Sequence, residues 1–183
     1  MQKKIAIDFN GKQCQSVKFK CKSGTNTRHI LDKLDLVDFP FIQSEADTLK
    51  YLILELLTNS LRATDEIRGG LPIVIDMQIN KDFFIVTIED GAGGFDVKLL
   101  PYNIDEEPSH IDILSRDFIE YRERHGFERF GMGIYSVKVW SDVFKLGFID
   151  EDGKCIKYTG RGSVAGTRIV FKKQLSKLLK NAS

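Results

Sequence analysis

The chain has 183 residues, 42% of them hydrophobic, which suits one compact domain with a sizeable core. Charged residues make up 29%, but the formal net charge is only +1, so no basic stripe argues for a nucleic-acid partner. The densest basic cluster, Lys172, Lys173, Lys177 and Lys180, reads as the solvated face of a last helix.

No signal-peptide core is present, because Asp8 follows Met1-Gln2-Lys3-Lys4-Ile5 so soon. The most apolar run, 51–57, is broken by Glu55 and is far too short to span a bilayer. A soluble, cytoplasmic protein is expected. Cys14, Cys21 and Cys155 read as reduced thiols. The first two are expected on one strand, where a separation of seven turns them to opposite faces.

Along the chain, residues 3–8 and 13–20 alternate around Asn10-Gly11, a hairpin signal. A short helix is expected near 26–34, then a loop with Pro40. Ser44 and Asp47 resemble a capping box opening a helix that runs to about residue 66, where Gly69, Gly70 and Pro72 end the pattern. Strands rich in Ile, Val and Phe follow at 73–79 and 83–90, joined at Asn80-Lys81-Asp82. Gly91-Ala92-Gly93-Gly94 is a loop. The stretch 96–130 is polar and irregular, except that Ile111, Leu114, Phe118 and Tyr121 fall on one helical face. So long a connection in a compact domain is usually functional or disordered. A helix from Gly131–Gly133 to about Ser141 comes next, then strands at 143–149 and 154–159 around Asp152-Gly153. A strand at 167–172 and a polar helix close the chain. This order predicts an α+β fold, a two-layer α/β sandwich with helices on one face of a mixed, mostly antiparallel sheet. Residues 1–44 form a hairpin and short helix of the same domain, 45–172 the core, and 173–183 the C-terminal helix.

Four constellations carry chemistry. On the long helix, Leu49, Leu52, Ile53, Leu56, Leu57, Ser60 and Ala63 form a buried stripe, while Glu55, Asn59 and Arg62, at i, i+4 and i+7, share another face. An amide oxygen is a hard ligand for Mg²⁺, a carboxylate orients a water or hydroxyl, and a guanidinium meets phosphate. An ordinary solvated helix face would look the same. The second constellation is Glu89-Asp90-Gly91-Ala92-Gly93-Gly94-Phe95 at a strand end, where glycines admit a close ligand and an Asp can accept from an exocyclic amino group such as that of adenine. A plain turn is the alternative reading. The third is Gly131-Met132-Gly133 opening a helix, whose free N–H groups attract phosphate. The fourth, Gly166-Thr167 entering a strand, says little alone.

In this order, the four resemble the motifs of the superfamily of gyrase, the heat-shock chaperone ATPase, histidine kinases and the mismatch-repair ATPase (GHKL). Glu55-Leu-Leu-Thr-Asn59-Ser-Leu-Arg62 looks like its N box, Asp90-Gly-Ala-Gly-Gly94-Phe and Gly131-Met-Gly133-Ile-Tyr-Ser-Val its two glycine boxes, and Gly166-Thr167 its Gly-Thr pair. The resemblance covers about residues 45–172. It implies the Bergerat ATP-binding fold with ATP and Mg²⁺ as ligands. It puts Asn59 on the metal and Glu55 on the attacking water or acceptor, with Arg62 at a position often basic in the kinases. Asp90 would read adenine with Thr167 behind it, residues 96–130 would be the ATP lid, and Gly94, Gly131 and Gly133 would lie along the nucleotide. Ala92 departs from the commoner glycine, the lid is long, and residues 1–44 match no part of the pattern.

Three functions fit. A kinase of the histidine-kinase-like or anti-sigma type would pass the γ-phosphate to a separate protein partner. His29, the one helical histidine upstream, lacks the acidic neighbour of an acceptor hairpin and reads as a surface residue. A gyrase- or chaperone-like clamp would need a phosphate-contacting lysine from elsewhere, since few residues follow Phe171. A nucleotide-dependent interaction module without turnover is the third, and the retained Glu55 and Asn59 weigh against it. The kinase is the favoured expectation. Self-association into a homodimer stays open.

Overall fold

Alternation of apolar and polar side chains builds the sheets of this chain. The computed structural model describes residues 5–22, 24–67, 71–124, 132–156 and 164–180. Strands β1 (Ile7–Phe9) and β2 (Lys12–Cys14) form the expected hairpin, with Asn10 at φ 52° and Gly11 at φ 77°, the left-handed pair a tight two-residue turn requires. Strand β3 (Ser16–Cys21) follows at once but joins a different sheet, pairing with residues 73–78. The stretch 13–20 is therefore two strands. Cys14 and Cys21 fall on separate sheets and not on opposite faces of one strand. Cys21 is buried and Cys155 exposed.

Asn26 caps helix α1 (Thr27–Asp35) by accepting the Arg28 N–H, and β4 (Val37–Asp38) then returns to β1. A 3₁₀ turn at Gln43–Glu45 leads into α2 (Ala46–Glu66). Its N-cap position is Glu45 and makes no side-chain cap bond, so the Ser44–Asp47 capping box is not formed. The Glu45 carboxylate instead accepts the Trp140 indole N–H at 2.8 Å, tying the helix start to the far end of the chain. Leu49, Leu52, Ile53, Leu56, Leu57 and Leu61 are buried along α2, each contributing roughly 1.5–3 kcal/mol relative to exposure. Ser60 and Thr64 share that stripe. Ala63 does not, being only half-buried.

Strands β5 (Ile73–Ile79) and β6 (Phe83–Asp90) occupy the expected spans residue for residue. In the segment expected to be irregular, 3₁₀ turns at Val97–Leu99 and Pro108–His110 precede α3 (Arg116–Arg124). The helix starts too late to hold the predicted stripe. Ile111 and Leu114 precede it, Leu114 is exposed, and only Phe118 and Tyr121 lie on it. Helix α4 (Met132–Trp140) and strands β7 (Val143–Ile149), β8 (Cys155–Ile156) and β9 (Gly166–Gln174) complete the core. Residues 157–159 of the predicted 154–159 strand lie outside the described residues. The last helix, α5 (Leu175–Lys180), is not simply polar, because Leu175 and Leu178 are buried. Its neighbouring lysines are also engaged. Lys173 donates to the Trp140 carbonyl, Lys177 pairs with Asp142, and Lys172 lies over the Phe83 ring.

The main sheet runs β3-β5-β6-β9-β7-β8, a smaller one runs β2-β1-β4, and every pairing among the described residues is antiparallel. Ile75, Met77, Phe84, Val86, Ile88, Ile169 and Phe171 share the buried face with the helices. The other face carries Lys18, Asp76, Glu89 and Arg168 in two ion pairs, as an antiparallel sheet open on one side allows. The α+β, two-layer arrangement is the predicted one. Ile7, Ile30 and Val37 belong to the same apolar core as α2, so residues before 45 are packed into it. Among the described residues no helix is long and apolar enough to cross a membrane.

Candidate functional site

The register of β6 and β9 places Asp90 opposite Thr167, both on the helix side of the sheet. The last turns of α2 meet them there. The Ser60 hydroxyl donates to Asp90 Oδ2 at 2.8 Å, while Oδ1 accepts the backbone N–H of Ala92 at 3.1 Å and of Thr167 at 3.3 Å. Burial pushes the Asp90 carboxyl above the ordinary carboxylate range, and the bonds from Ser60, Ala92 and Thr167 oppose that shift. Thr167 is itself buried. Two elements and a loop therefore hold one acid with its acceptor oxygens oriented by donors, the arrangement a recognition carboxylate needs.

Only glycine fits beside it at residue 166. A Cβ there would overlap the Asp90 carbonyl oxygen and lie 3.0 Å from Gly91 Cα. The loop after β6 is drawn in by the Gly93 N–H bond to the Ala165 carbonyl. Gly94, at φ 73°, has Val164 and Phe148 within 2.9 Å of where a Cβ would stand.

One residue before Ser60, Asn59 projects on the exposed side of α2. Helix α4 crosses here. A Cβ on Gly133 would lie 3.1 Å from Asn59 Nδ2 and 3.6 Å from Glu55 Oε2, so the bare backbone lets the two helices close around these side chains. Glu55 is half-buried, one turn after Tyr51. Burial first, then the nearby Glu55 carboxylate, pushes the Tyr51 phenol above its usual range.

Asn59, Glu55 and Gly133 thus meet at one end, and Asp90, Thr167 and Gly94 lie around the other, linked through Ser60. Arg62 goes elsewhere. It lines a surface depression of about 690 Å³ with Gly24, Asn26, Thr58 and Asp65, between the start of α1 and the end of α2. Gly131 lies outside the described residues. His29 is exposed, as expected.

Ser60, placed by helix period in the buried stripe of α2, also joins the candidate site through its bond to Asp90. Its polarity within a run of leucines was the available signal, since a buried hydroxyl requires a partner.

No group of three or more His, Cys, Asp or Glu is placed to hold a metal among the described residues. Asn59 supplies one hard oxygen, which matches Mg²⁺, an ion that keeps several waters and takes few protein ligands. Compared with known proteins, the chain matches no family model, and no curated protein matches it.

Proposed function

We propose that this chain binds Mg-ATP between α2, α4 and the loop after β6, and passes the γ-phosphate to a separate protein. The carrying observation is the Asp90 carboxylate, buried on the helix side and held by the Ser60 hydroxyl and the Ala92 and Thr167 amides. A buried acid with no cationic partner among its bonds destabilises a fold, so its retention favours a ligand that donates to it. An exocyclic amino group such as that of adenine is such a donor. The order of motifs, resembling the GHKL superfamily, supports the same reading and with it the Bergerat arrangement of helices on a sheet.

Asn59 would hold Mg²⁺, whose charge would offset that of the polyphosphate. Asn59 offers its amide oxygen from the exposed side of α2, and the absence of a side chain at Gly133 leaves room beside it. Glu55 stands one turn earlier on the same face, where its carboxylate accepts a proton from, or orients, the group attacking the γ-phosphorus. Arg62, lining the depression beside α1, serves the docked partner in this reading and not the nucleotide.

Incubation with γ-labelled ATP and Mg²⁺ in a cell lysate tests the reaction. A discrete labelled protein, lost with Glu55→Gln, is the expected result. Release of free phosphate alone supports an ATP-driven clamp instead, and neither product supports a binding module without turnover.

A further inference from the structure

The stretch between the loop after β6 and helix α3 is fastened to α4 at two points. Tyr102 stacks on Phe118 of α3, with ring centroids 5.6 Å apart and planes 12° from parallel, and meets Tyr135 of α4 edge-on at 6.1 Å. Phe118 is buried beneath it. Lys138 Nζ then donates to the Ile104 carbonyl at 2.6 Å and also to the Glu106 carbonyl. Tyr135 and Lys138 are three apart on one helix, so both fastenings fall on the same face of α4. Burial, with the neighbouring Tyr121 and Tyr135 hydroxyls adding to it, pushes the Tyr102 phenol far above its ordinary range, against the lowering effect of the Tyr135 backbone N–H.

Gly133, which lies against Asn59 and Glu55, is two residues before Tyr135 on that helix. A helix this short shifts as a unit, and a sub-ångström shift of its first turn changes the room left beside Asn59. We propose that Tyr102, acting with Lys138, is a positioning residue of the candidate site, holding α4 so that its effect falls on the phosphate end of a bound nucleotide and not on the adenine end. This rests on the Mg-ATP reading above.

Titrations of Mg-ATP and of adenosine into the wild type and Tyr102→Ala, Tyr102→Phe and Lys138→Met variants test it. Losing an aromatic pair and its packing should weaken Mg-ATP by about tenfold in Tyr102→Ala, with adenosine unchanged within about twofold. Tyr102→Phe keeps the stacked ring and should restore Mg-ATP to within about threefold of wild type. Lys138→Met should move Mg-ATP in the same direction by a smaller factor, and it alone decides the matter if Tyr102→Ala does not fold. Equal losses for ATP and adenosine, or unchanged Mg-ATP affinity in both Tyr102→Ala and Lys138→Met, overturn the positioning role and leave the nucleotide reading intact. A wild-type chain that binds neither ATP nor adenosine overturns both.

Discussion

Asp90 and Asn59 stand at two ends of one site, and the chain fixes them by different means. Asp90 is set by strand register: β6 and β9 pair from Phe83↔Gln174 through to Asp90↔Thr167, and a slip of one residue would turn the carboxylate to the open face. Asn59 is set by helix packing. It depends on where α4 crosses α2 at Gly133, and α4 in turn depends on the Tyr102 and Lys138 contacts. At the register end a Cβ on Gly166 meets backbone, whereas at the helix end a Cβ on Gly133 meets only side-chain atoms of Asn59 and Glu55. Under the proposed Mg-ATP reading, base recognition would stay rigid while the phosphate end changes between states.

Equivalent substitutions at the two ends should then behave differently. Gly166→Ala places a methyl group into the Asp90 carbonyl and should cost about 3 kcal/mol or more, at the upper end of overpacking effects, measured by denaturant unfolding. A stability near wild type would mean the β6–β9 pairing at Asp90 is looser than described. At the helix end, Glu55→Gln should lower phosphotransfer or hydrolysis by at least about a hundredfold while Mg-ATP affinity changes only a few-fold. Equal turnover removes Glu55 from the chemistry.

Gly133→Ala sharpens the contrast. The nearest atom to its new Cβ is Nδ2 of Asn59, the end of a side chain, and alanine is the better helix former, so stability should change by no more than about 1 kcal/mol in either direction. The difference in ATP affinity with and without Mg²⁺ should nonetheless shrink severalfold as Asn59 is pushed aside. A fully retained Mg²⁺ effect would place the metal away from Asn59.

The smallest effect concerns pH. Asp90 has its folded pKa raised by burial, so in the window between its unfolded and folded values the folded chain binds more protons than the unfolded one. Stability contributed by this group therefore falls as pH rises through that window and is level above it. Asp90→Asn should flatten this part of the stability–pH curve, and an unchanged slope in the variant would assign the dependence to another acid.

The two regions also differed in how far the sequence disclosed them. The spans of β5 and β6 and the Asn10-Gly11 turn were legible because period-two alternation and positive-φ residues are local signals. So was the sharing of one α2 face by Glu55 and Asn59. What was not legible depended on contacts between distant residues. The start of α2 follows the Glu45–Trp140 bond and not a local box, and the break between β2 and β3 reflects a choice of sheet partner. The departure of Arg62 from the row follows the approach of residues 24–26 to the end of α2, which includes the Gly24 N–H bond to Asp65. Helix period alone cannot report which neighbour a side chain meets.

In the proposed reading, the held carboxylate of Asp90 accepts a hydrogen bond from the base of a nucleotide. Titration of ATP and ADP into wild-type protein and Asp90→Asn, both checked for folding, tests it most directly. Binding by the wild type and a loss of at least about tenfold in the variant are expected, the equivalent of roughly 1.5–3 kcal/mol for a charge-assisted bond, with the fold intact. Nucleotide affinity that is the same in the two proteins would contradict it.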